Sequence, residues 1–306
     1  MGLDSNYILL TIDIEEWFQV ENFKPWISLL SWSSFPSRVE ENTYRLLDMM
    51  ELPNEDTKPL LTGRCQKLRA TFFVLGWVAS RFPHLVREIR SRGHEVASHG
   101  SHHTVCHKQS LGDFRQDLKE SKSILQDIIG AEVLGYRAPS FSITKELLET
   151  IQECGYVYDS SYNSFGLHRR YGQLDLCHNR RRGIAVELNK DFYELPISNI
   201  RIRNFVFPLG GGFYFRFLPF FFFKRGVRAI LDRDAAYLFY LHPWEIDQEQ
   251  PRLSQASALN RFRHYLHLEK TGPRLEGLLR GFSKSRFVTC REYLAEILAE
   301  GGLDFS

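Results

Sequence analysis

The stretch YILLTIDIEEWF, residues 7–18, begins as an apolar, β-branched run and ends in three acids, Asp13, Glu15 and Glu16. The apolar part predicts a strand over residues 7–13 that is covered on both faces, as strands of parallel sheets are. A carboxylate buried without a partner is costly or must change its pKa. The three acids therefore indicate either a solvated strand end or a polar site.

Six further runs of this kind predict strands near residues 70–75, 94–98, 132–137, 156–159, 191–195 and 236–241. Segments of helical period lie between several of them. In one, Phe82, Leu85, Val86 and Ile89 share a stripe and Gly93 follows as a cap. Residues 111–130 and 144–155 repeat that pattern. The alternation predicts an α/β fold, an irregular (β/α)7 barrel distorted by a loop over 160–190 and by the turn PLGGGFYFR.

One barrel accounts for a chain of 306 residues, and the sequence has no linker-like segment and no internal repeat. We therefore expect a single domain over 1–306 with a helical C-terminal extension over 246–306 packed on the barrel. The net charge of +2 gives no sign of nucleic-acid binding. The locally basic HNRRRG, 178–183, is interpreted as a solvated loop.

The N-terminus has acids where a signal peptide has a basic start, and no apolar stretch reaches the ~20 residues of a membrane span. The five cysteines (65, 106, 154, 177 and 290) form no CxxC pattern and are expected to be reduced thiols. These features predict a cytoplasmic protein. The run FRFLPFFFFKRGVRAIL, 215–231, leaves peripheral contact with the inner membrane face open, although such residues more often fill a core.

The stretch GHEVASHGSHHTVCHK, 93–108, contains five of the chain's eleven histidines and two pairs spaced four apart. His99 ends a predicted strand, and His103 follows one helical turn later. Two imidazoles and a carboxylate form the three-ligand zinc site that leaves one position open. The pair His103 and His107 has the same spacing but lies farther from the strand end, so we favour His99 and His103.

Two more predicted strands end in residues that could take part in catalysis. Arg137 in GYRAPSF could hold a carboxylate in its ionised form, although a structural salt bridge is the simpler interpretation of one arginine. His242 leaves the apolar run AAYLFYL directly before Pro243. A single histidine there is more often structural. Loops at the C-terminal ends of barrel strands form active sites, so four such strand ends together predict one site.

These segments resemble those of the NodB-homology polysaccharide deacetylases, carbohydrate esterase family four, and more closely the subgroup encoded with exopolysaccharide and PEP-CTERM/exosortase loci. The resemblance covers nearly the whole chain, in the family's order. It rests on LTIDIEEWFQV, RATFFVLGWVA, GHEVASHGSHH, GYRAPSFSIT, YDSSYN, ELPIS, GGGFYFR, YLHPWEIDQEQPRL and RFRHYLHL. It implies a NodB-like irregular (β/α)7 barrel and metal-dependent removal of N-acetyl groups from sugar polymers.

The resemblance also implies residue roles. The family's first motif has two adjacent aspartates, whereas Ile14 follows Asp13 here. In an acid-x-acid form Asp13 is the base and Glu15 the metal ligand, with Glu16 as the alternative. The other implied roles are His99 and His103 as ligands of a divalent metal, most simply Zn²⁺, Arg137 as the holder of Asp13, and His242 as the general acid.

The family's fourth motif, an aspartate that tunes this histidine, has no clean copy between residues 190 and 216, and Asp159 is the one candidate partner. A backbone N–H near Ser140 or Phe141 is expected to bind the oxyanion. The residues expected to contact substrate are Trp17, Pro139, Ser140, Phe141, Tyr214 and Trp244.

The leading hypothesis is therefore a metal-dependent polysaccharide N-deacetylase, a hydrolase of linear amides, acting on N-acetylhexosamine units of an exopolysaccharide or its lipid-linked precursor. One alternative is a cyclic-amide hydrolase resembling allantoinase. Another is a catalytically silent glycan-binding or assembly protein, because the first motif departs from the usual pair of aspartates.

Overall fold

A computed structural model describes residues 6–51, 68–165, 171–172, 174–203 and 205–299. Cys65 and the last residues of the predicted extension, 300–306, lie outside these ranges. The strands are β1 Tyr7–Ile14, β2 Ala70–Val74, β3 Glu95–Ser98, β4 Gly135–Tyr136, β5 Tyr158–Asp159, β6 Arg181–Arg182, β7 Ala185–Asn189, β8 Phe192–Glu194, β9 Asn199–Ile202, β10 Phe205–Pro208, β11 Ala236–Leu241 and β12 Arg286–Phe287.

The α-helices lie between and after these strands. They are α1 Val39–Glu51, α2 Gly76–Arg81, α3 Pro83–Ser91, α4 Leu111–Ile129, α5 Lys145–Glu153, α6 Gly212–Phe217, α7 Phe220–Asp234, α8 Ala258–Tyr265, α9 Leu268–Gly281 and α10 Cys290–Ala299. Short 3-10 turns include Pro139–Phe141 and Pro243–Ile246. Among the described residues, no helix has the length and apolar character that a membrane span requires.

Seven strands run parallel in the order β11-β1-β2-β3-β4-β5-β8, and they match the seven predicted strands. The barrel closes irregularly between β8 and β11. There Ser198 N–H donates to Leu238 O at 3.3 Å, and Gly211 forms an isolated bridge with Tyr240. The α/β prediction and the distorted (β/α)7 barrel are confirmed.

Alternating residues of β1 face two different cores. Ile8, Leu10 and Ile12 pack against the surrounding helices, whereas Tyr7 and Leu9 pack inside the barrel. The inner core also contains residues of α10, including Tyr293 and Leu294. All eight residues of β1 are buried, as expected for a parallel strand covered on both faces.

The predicted helices over 81–93, 111–130 and 144–155 are present as α3, α4 and α5. Gly93, Gly130 and Gly155 follow them with positive φ. The predicted loop over 160–190 was wrong in part, because β6 and β7 add an antiparallel ladder to β8 there. These strands contain arginine, glutamate and asparagine and so lack the apolar run that marked the others.

The region over 246–306 contains α8, α9 and α10, and it also supplies β12, which pairs in parallel with β1. The organisation as a single domain with an extension stays a prediction. The four described cysteines, Cys106, Cys154, Cys177 and Cys290, are free thiols.

Candidate active site

The inner face of β1 carries polar side chains toward the C-terminal ends of the strands. Thr11 and Asp13 share the inward parity of Leu9, and both are buried. Glu15, two residues farther, is also buried beside them. The period of two along a strand thus places a hydroxyl and two carboxylates at one end of the barrel.

Arg137 follows β4 and its side chain is fully buried beneath this end of the barrel. Its Nη1 donates to Asp13 Oδ1 and to Thr11 Oγ1, both at 2.7 Å, while Nε and Nη2 donate to the carbonyl and hydroxyl oxygens of Ser160. Its guanidinium carbon lies 4.0 Å from the ring centroid of Phe73. Arg137 therefore holds Asp13 in the position predicted for it, with Oδ2 left toward the cavity.

The two adjacent glutamates have different surroundings. Glu16 turns away from the barrel and accepts hydrogen bonds from the backbone N–H groups of Arg38 and Val39 and from the hydroxyl of Ser37, at the start of α1. It stabilises the unpaired donors of that helix N-terminus. Glu16 is therefore a helix cap in this structure, and Glu15 is the acid that faces the histidines.

His99, His103 and Glu15 converge at one point. Each offers a ligand atom, and the three atoms lie within 4.8 Å of one another. His103 Nε2 lies 2.7 Å from Glu15 Oε2. Two electron-pair donors this close require a proton or a cation between them. His107 is exposed, with Nδ1 3.4 Å from Ser142 O, so it lies apart from this cluster.

The protonation states of the cluster fit a divalent cation. His99 Nδ1 lies 2.8 Å from the carbonyl oxygen of Arg137, so Nδ1 carries the proton and Nε2 is free as a ligand. Burial lowers the pKa of His99 to about 4, which keeps the ring neutral. Burial would raise the pKa of Glu15, but His103 and His242 hold it well below its usual range. The imidazoles of His99 and His103 with the carboxylate of Glu15 are a donor set that could hold Zn²⁺ or a similar metal.

His242 follows β11 and faces both carboxylates. Its Nε2 lies 3.4 Å from Glu15 Oε1 and 3.9 Å from Asp13 Oδ2. Burial would lower the pKa of His242, but Glu15, Glu245 and Asp13 raise it to about 9. The ring therefore favours the protonated form that a proton donor needs.

The partner of His242 is Glu245, which was not predicted. His242 Nδ1 lies 2.8 Å from Glu245 Oε1, and Arg216 Nε donates to Glu245 Oε2 at 2.8 Å. Burial would raise the pKa of Glu245, but Arg216 and His242 lower it. The candidate partner Asp159 was wrong, because Asp159 contacts Ser161 and the carboxyl group of Glu194 instead. The signal for Glu245 was its position three residues after His242 in the turn that begins at Pro243.

Arg216 connects this pair to the C-terminal region. It is buried, and its Nη atoms donate to three carbonyl oxygens, those of Arg263, His264 and Leu266. Gly212 lies close to the same carboxylate, since a Cβ there would come within 2.0 Å of Glu245 Oε1. The glycines of PLGGGFYFR thus allow the backbone to pass against the site.

Trp244 contacts Glu15, the carboxylate of the candidate metal ligands. Its Nε1 donates to Glu15 Oε1 at 3.1 Å. Its ring stacks on His242, with centroids 5.1 Å apart, and on His264, with centroids 4.2 Å apart. Because the side chain is buried and already stacked on two rings, Trp244 is better placed to orient Glu15 and His242 than to stack on a substrate.

These residues border a cavity of about 180 Å³. Of the residues predicted to contact substrate, Ser140, Phe141, Tyr214 and Trp244 line it. Trp17 and Pro139 do not. Trp17 packs with Phe18 and Phe35 in a separate core, and Pro139 is buried in the turn Pro139–Phe141. Additional aromatic lining comes from Tyr171, Phe213 and Tyr240.

The turn after Arg137 has an uncommon backbone. Ser140 and Phe141 have φ values of 55° and 56°, in the left-handed region that non-glycine residues rarely adopt. The N–H of Phe141 donates to Ala138 O at 2.9 Å. Of the two amides predicted to bind an oxyanion, Phe141 is thus already engaged. Strain of this kind is often retained beside functional groups.

Comparison with known proteins assigns two regions. Residues 41–158 match the family model described as polysaccharide deacetylase. The chain contains a polysaccharide deacetylase domain. Residues 160–295 match a domain of unknown function, DUF3473. The deacetylase match includes His99, His103 and Arg137, whereas Asp13, Glu15 and His242 lie outside it.

Two curated relatives of the deacetylase domain have named substrates. A peptidoglycan-N-acetylglucosamine deacetylase from Bacillus cereus is 30% identical over 93 residues, 30% of this chain and 43% of the relative. A chitooligosaccharide deacetylase from Sinorhizobium fredii is 33% identical over 92 residues, 29% of this chain and 42% of the relative. The chain thus spans less than half the length of each.

Solved structures share the fold. A protein from Mycobacterium smegmatis assigned as a polysaccharide deacetylase superposes with a TM-score of 0.62 at 16% identity, over 100% of this chain and 95% of that one. The fold predicted from the sequence, a NodB-like irregular barrel, is thereby confirmed.

Proposed function

We propose that this protein hydrolyses the acetamide of N-acetylhexosamine units in an exopolysaccharide or its lipid-linked precursor, using a divalent metal, most simply Zn²⁺. The observation that carries the proposal is the meeting of two groups in one cavity. One is the candidate ligand set Glu15, His99 and His103. The other is the facing pair Asp13 and His242. Arg137 holds Asp13 directly, and Glu245, itself bound by Arg216, holds His242.

Asp13 is the proposed base. A divalent metal, when bound, would polarise the acetyl carbonyl and lower the pKa of a water molecule. Arg137 keeps Asp13 Oδ1 engaged, so Oδ2 is the oxygen available to accept the proton of the attacking water. Arg137 is therefore a positioning residue in this proposal.

His242 is the proposed acid. Amide cleavage requires a proton on the departing nitrogen, and His242 Nε2 lies on the cavity side of the ring, facing Asp13 and Glu15. Glu245 holds Nδ1 and so keeps Nε2 directed there. The role that the family motif gives to an aspartate would belong to Glu245 in this chain.

The Ser140 N–H is the proposed backbone donor to the oxyanion, since the Phe141 N–H is occupied. For the sugar ring, Phe213 and Tyr214 are the proposed stacking residues, since both line the cavity and are only partly buried.

The test is acetate release from acetylated exopolysaccharide fragments and chitooligosaccharides by the purified protein, with Asp13→Asn as the catalytically silent control. We expect release by the natural protein and a loss of about 10²- to 10⁴-fold in the variant. Hydrolysis of allantoin-like cyclic amides without acetate release would overturn the substrate class. Glycan binding without acetate release would overturn catalysis.

A further inference from the structure

The longest stretch of the chain without acidic residues lies between Glu194 and Asp232. It contains nine of the 24 phenylalanines. The same stretch has six basic residues, Arg201, Arg203, Arg216, Lys224, Arg225 and Arg228. Only Arg216 of these is fully buried, so the charge on the surface of this stretch is of one sign.

The hairpin of β9 and β10 exposes an apolar face. Its register pairs Phe205 with Ile202 and Phe207 with Ile200, which places the four side chains on the same side of the ribbon. Phe205 is 70% exposed, and Ile202 and Phe207 are also exposed. Contiguous exposed apolar side chains of this kind often mark an interaction site.

A second exposed aromatic group lies at the junction of α6 and α7. Phe217, Phe221 and Phe222 are each more than half exposed. The Arg225 guanidinium lies 5.7 Å from the Phe221 ring centroid. β9 packs against α7, the helix that begins with this second group. We name the exposed side chains of the hairpin, of α7 and of the junction before it the aromatic-basic face: Ile202, Phe205, Phe207, Phe217, Phe221, Phe222, Arg225 and Arg228.

This face reaches the cavity. The Phe217 ring stacks on Phe213 with centroids 5.8 Å apart and planes 12° apart. Phe213 lines the cavity that also contains Asp13 and His242. A surface bound by the aromatic-basic face would therefore lie beside the cavity mouth.

We propose that the aromatic-basic face binds the surface of an anionic phospholipid bilayer. Exposed phenylalanines insert at the level of lipid headgroups and acyl chains, and lysine and arginine beside them pair with anionic headgroups. A second copy of this chain fits less well, because a two-fold interface would bring the same basic residues face to face. The proposal goes beyond the deacetylation chemistry and does not depend on it.

The test is co-sedimentation of the full chain with vesicles of phosphatidylcholine, with and without phosphatidylglycerol. We expect binding to the anionic vesicles that weakens with salt, and weak binding to neutral ones. Phe221→Ser with Phe222→Ser should weaken anionic-vesicle binding about tenfold or more, which is a loss of about 1.4 kcal/mol. Leu111→Ser, at an exposed apolar residue on α4, is the matched control and should bind normally.

A charge test accompanies it. Arg225→Glu with Arg228→Glu should abolish the preference for anionic vesicles, whereas Arg87→Glu with Arg90→Glu, the same charge change on exposed residues of α3, should retain it. Equal binding by all variants, or no vesicle binding by the natural chain, would overturn the proposal. A dimer in solution that Phe221→Ser with Phe222→Ser dissociates would also overturn it. Acetate release from water-soluble oligosaccharides should be unchanged in these variants, which separates this test from that of catalysis.

Discussion

Glu245 bridges His242 and Arg216: Oε1 accepts from His242 Nδ1 at 2.8 Å, and Oε2 accepts from Arg216 Nε at 2.8 Å. All three come from the region after residue 208, whereas Asp13 and Arg137 come from the first half of the chain. The proposed acid and the proposed base are therefore held by different residues, Glu245 for His242 and Arg137 for Asp13. Either of these residues can be substituted without changing the other.

Glu245→Gln should lower kcat about 100-fold, with KM and metal content little changed. The neutral amide cannot accept from both His242 and Arg216 as the carboxylate does, so the His242 ring loses its orientation and one of the carboxylates that raise its pKa. Steady-state kinetics of acetate release would measure this. Glu249→Gln, at an exposed residue of the next turn, is the control. A large rise in KM at constant kcat would contradict a role for Glu245 in orienting the acid.

Gly212→Ala should reproduce the kinetic defect of Glu245→Gln without changing any titratable group. The new Cβ would lie 2.0 Å from Glu245 Oε1 and would displace the carboxylate. Gly112→Ala on α4 has its nearest neighbouring atom at 3.8 Å and should leave activity unchanged. Normal kinetics in Gly212→Ala would show that the carboxylate position is not critical.

His99→Ala and His103→Ala should each lose the bound metal, whereas His107→Ala should keep it. The first two side chains meet Glu15, and His107 lies at the surface beside Ser142. Elemental analysis of the purified proteins would measure the metal content. Retention in His103→Ala together with loss in His107→Ala would reverse the assignment of the pair.

The contribution of the Asp159 and Glu194 pair to the stability of the fold should decrease as pH rises from about 4 through about 6. Burial raises the pKa of Asp159 to about 6, and burial beside Asp159 raises that of Glu194 farther above its usual range. The stabilising protonated form is therefore fully present below the ordinary carboxyl pKa of about 4 and is lost as pH rises through the raised values. Urea unfolding across this range would follow the loss.

Glu194→Gln should reduce this pH dependence. Its amide oxygen can still accept from the Tyr162 N–H, and its NH2 group can donate to Asp159 Oδ2, which has no hydrogen-bond partner among the described residues. An unchanged slope of unfolding free energy with pH in this variant would contradict a shared proton between the two carboxyl groups.

Most of the candidate site could be predicted from polar residues at the ends of predicted strands. His99, Arg137 and His242 each follow a parallel strand, and the sheet brings those ends together. Alternation along β1 places Glu15 and Glu16 on opposite sides of the chain. The sequence nevertheless left both as candidate metal ligands, because the end of the strand could not be located to one residue. The fold then turns Glu16 onto the start of α1.

Other features depended on contacts between distant segments. Trp17 was expected at the cavity, yet it is buried against Phe35, and nothing in the residue types distinguishes a wall aromatic from a core aromatic. Glu245 was missed because its second partner, Arg216, lies 29 residues away in sequence. The hairpin of β9 and β10 was missed because arginines interrupt its apolar run.

The central claim is that a metal at Glu15, His99 and His103 is required to release acetate. Its most direct test is acetate release from an N-acetylated oligosaccharide substrate by the natural protein before chelation, after chelation, and after return of Zn²⁺. We expect activity to disappear on chelation and to return with Zn²⁺ in the natural protein but not in Glu15→Gln. Acetate release that persists after complete metal removal would contradict the claim.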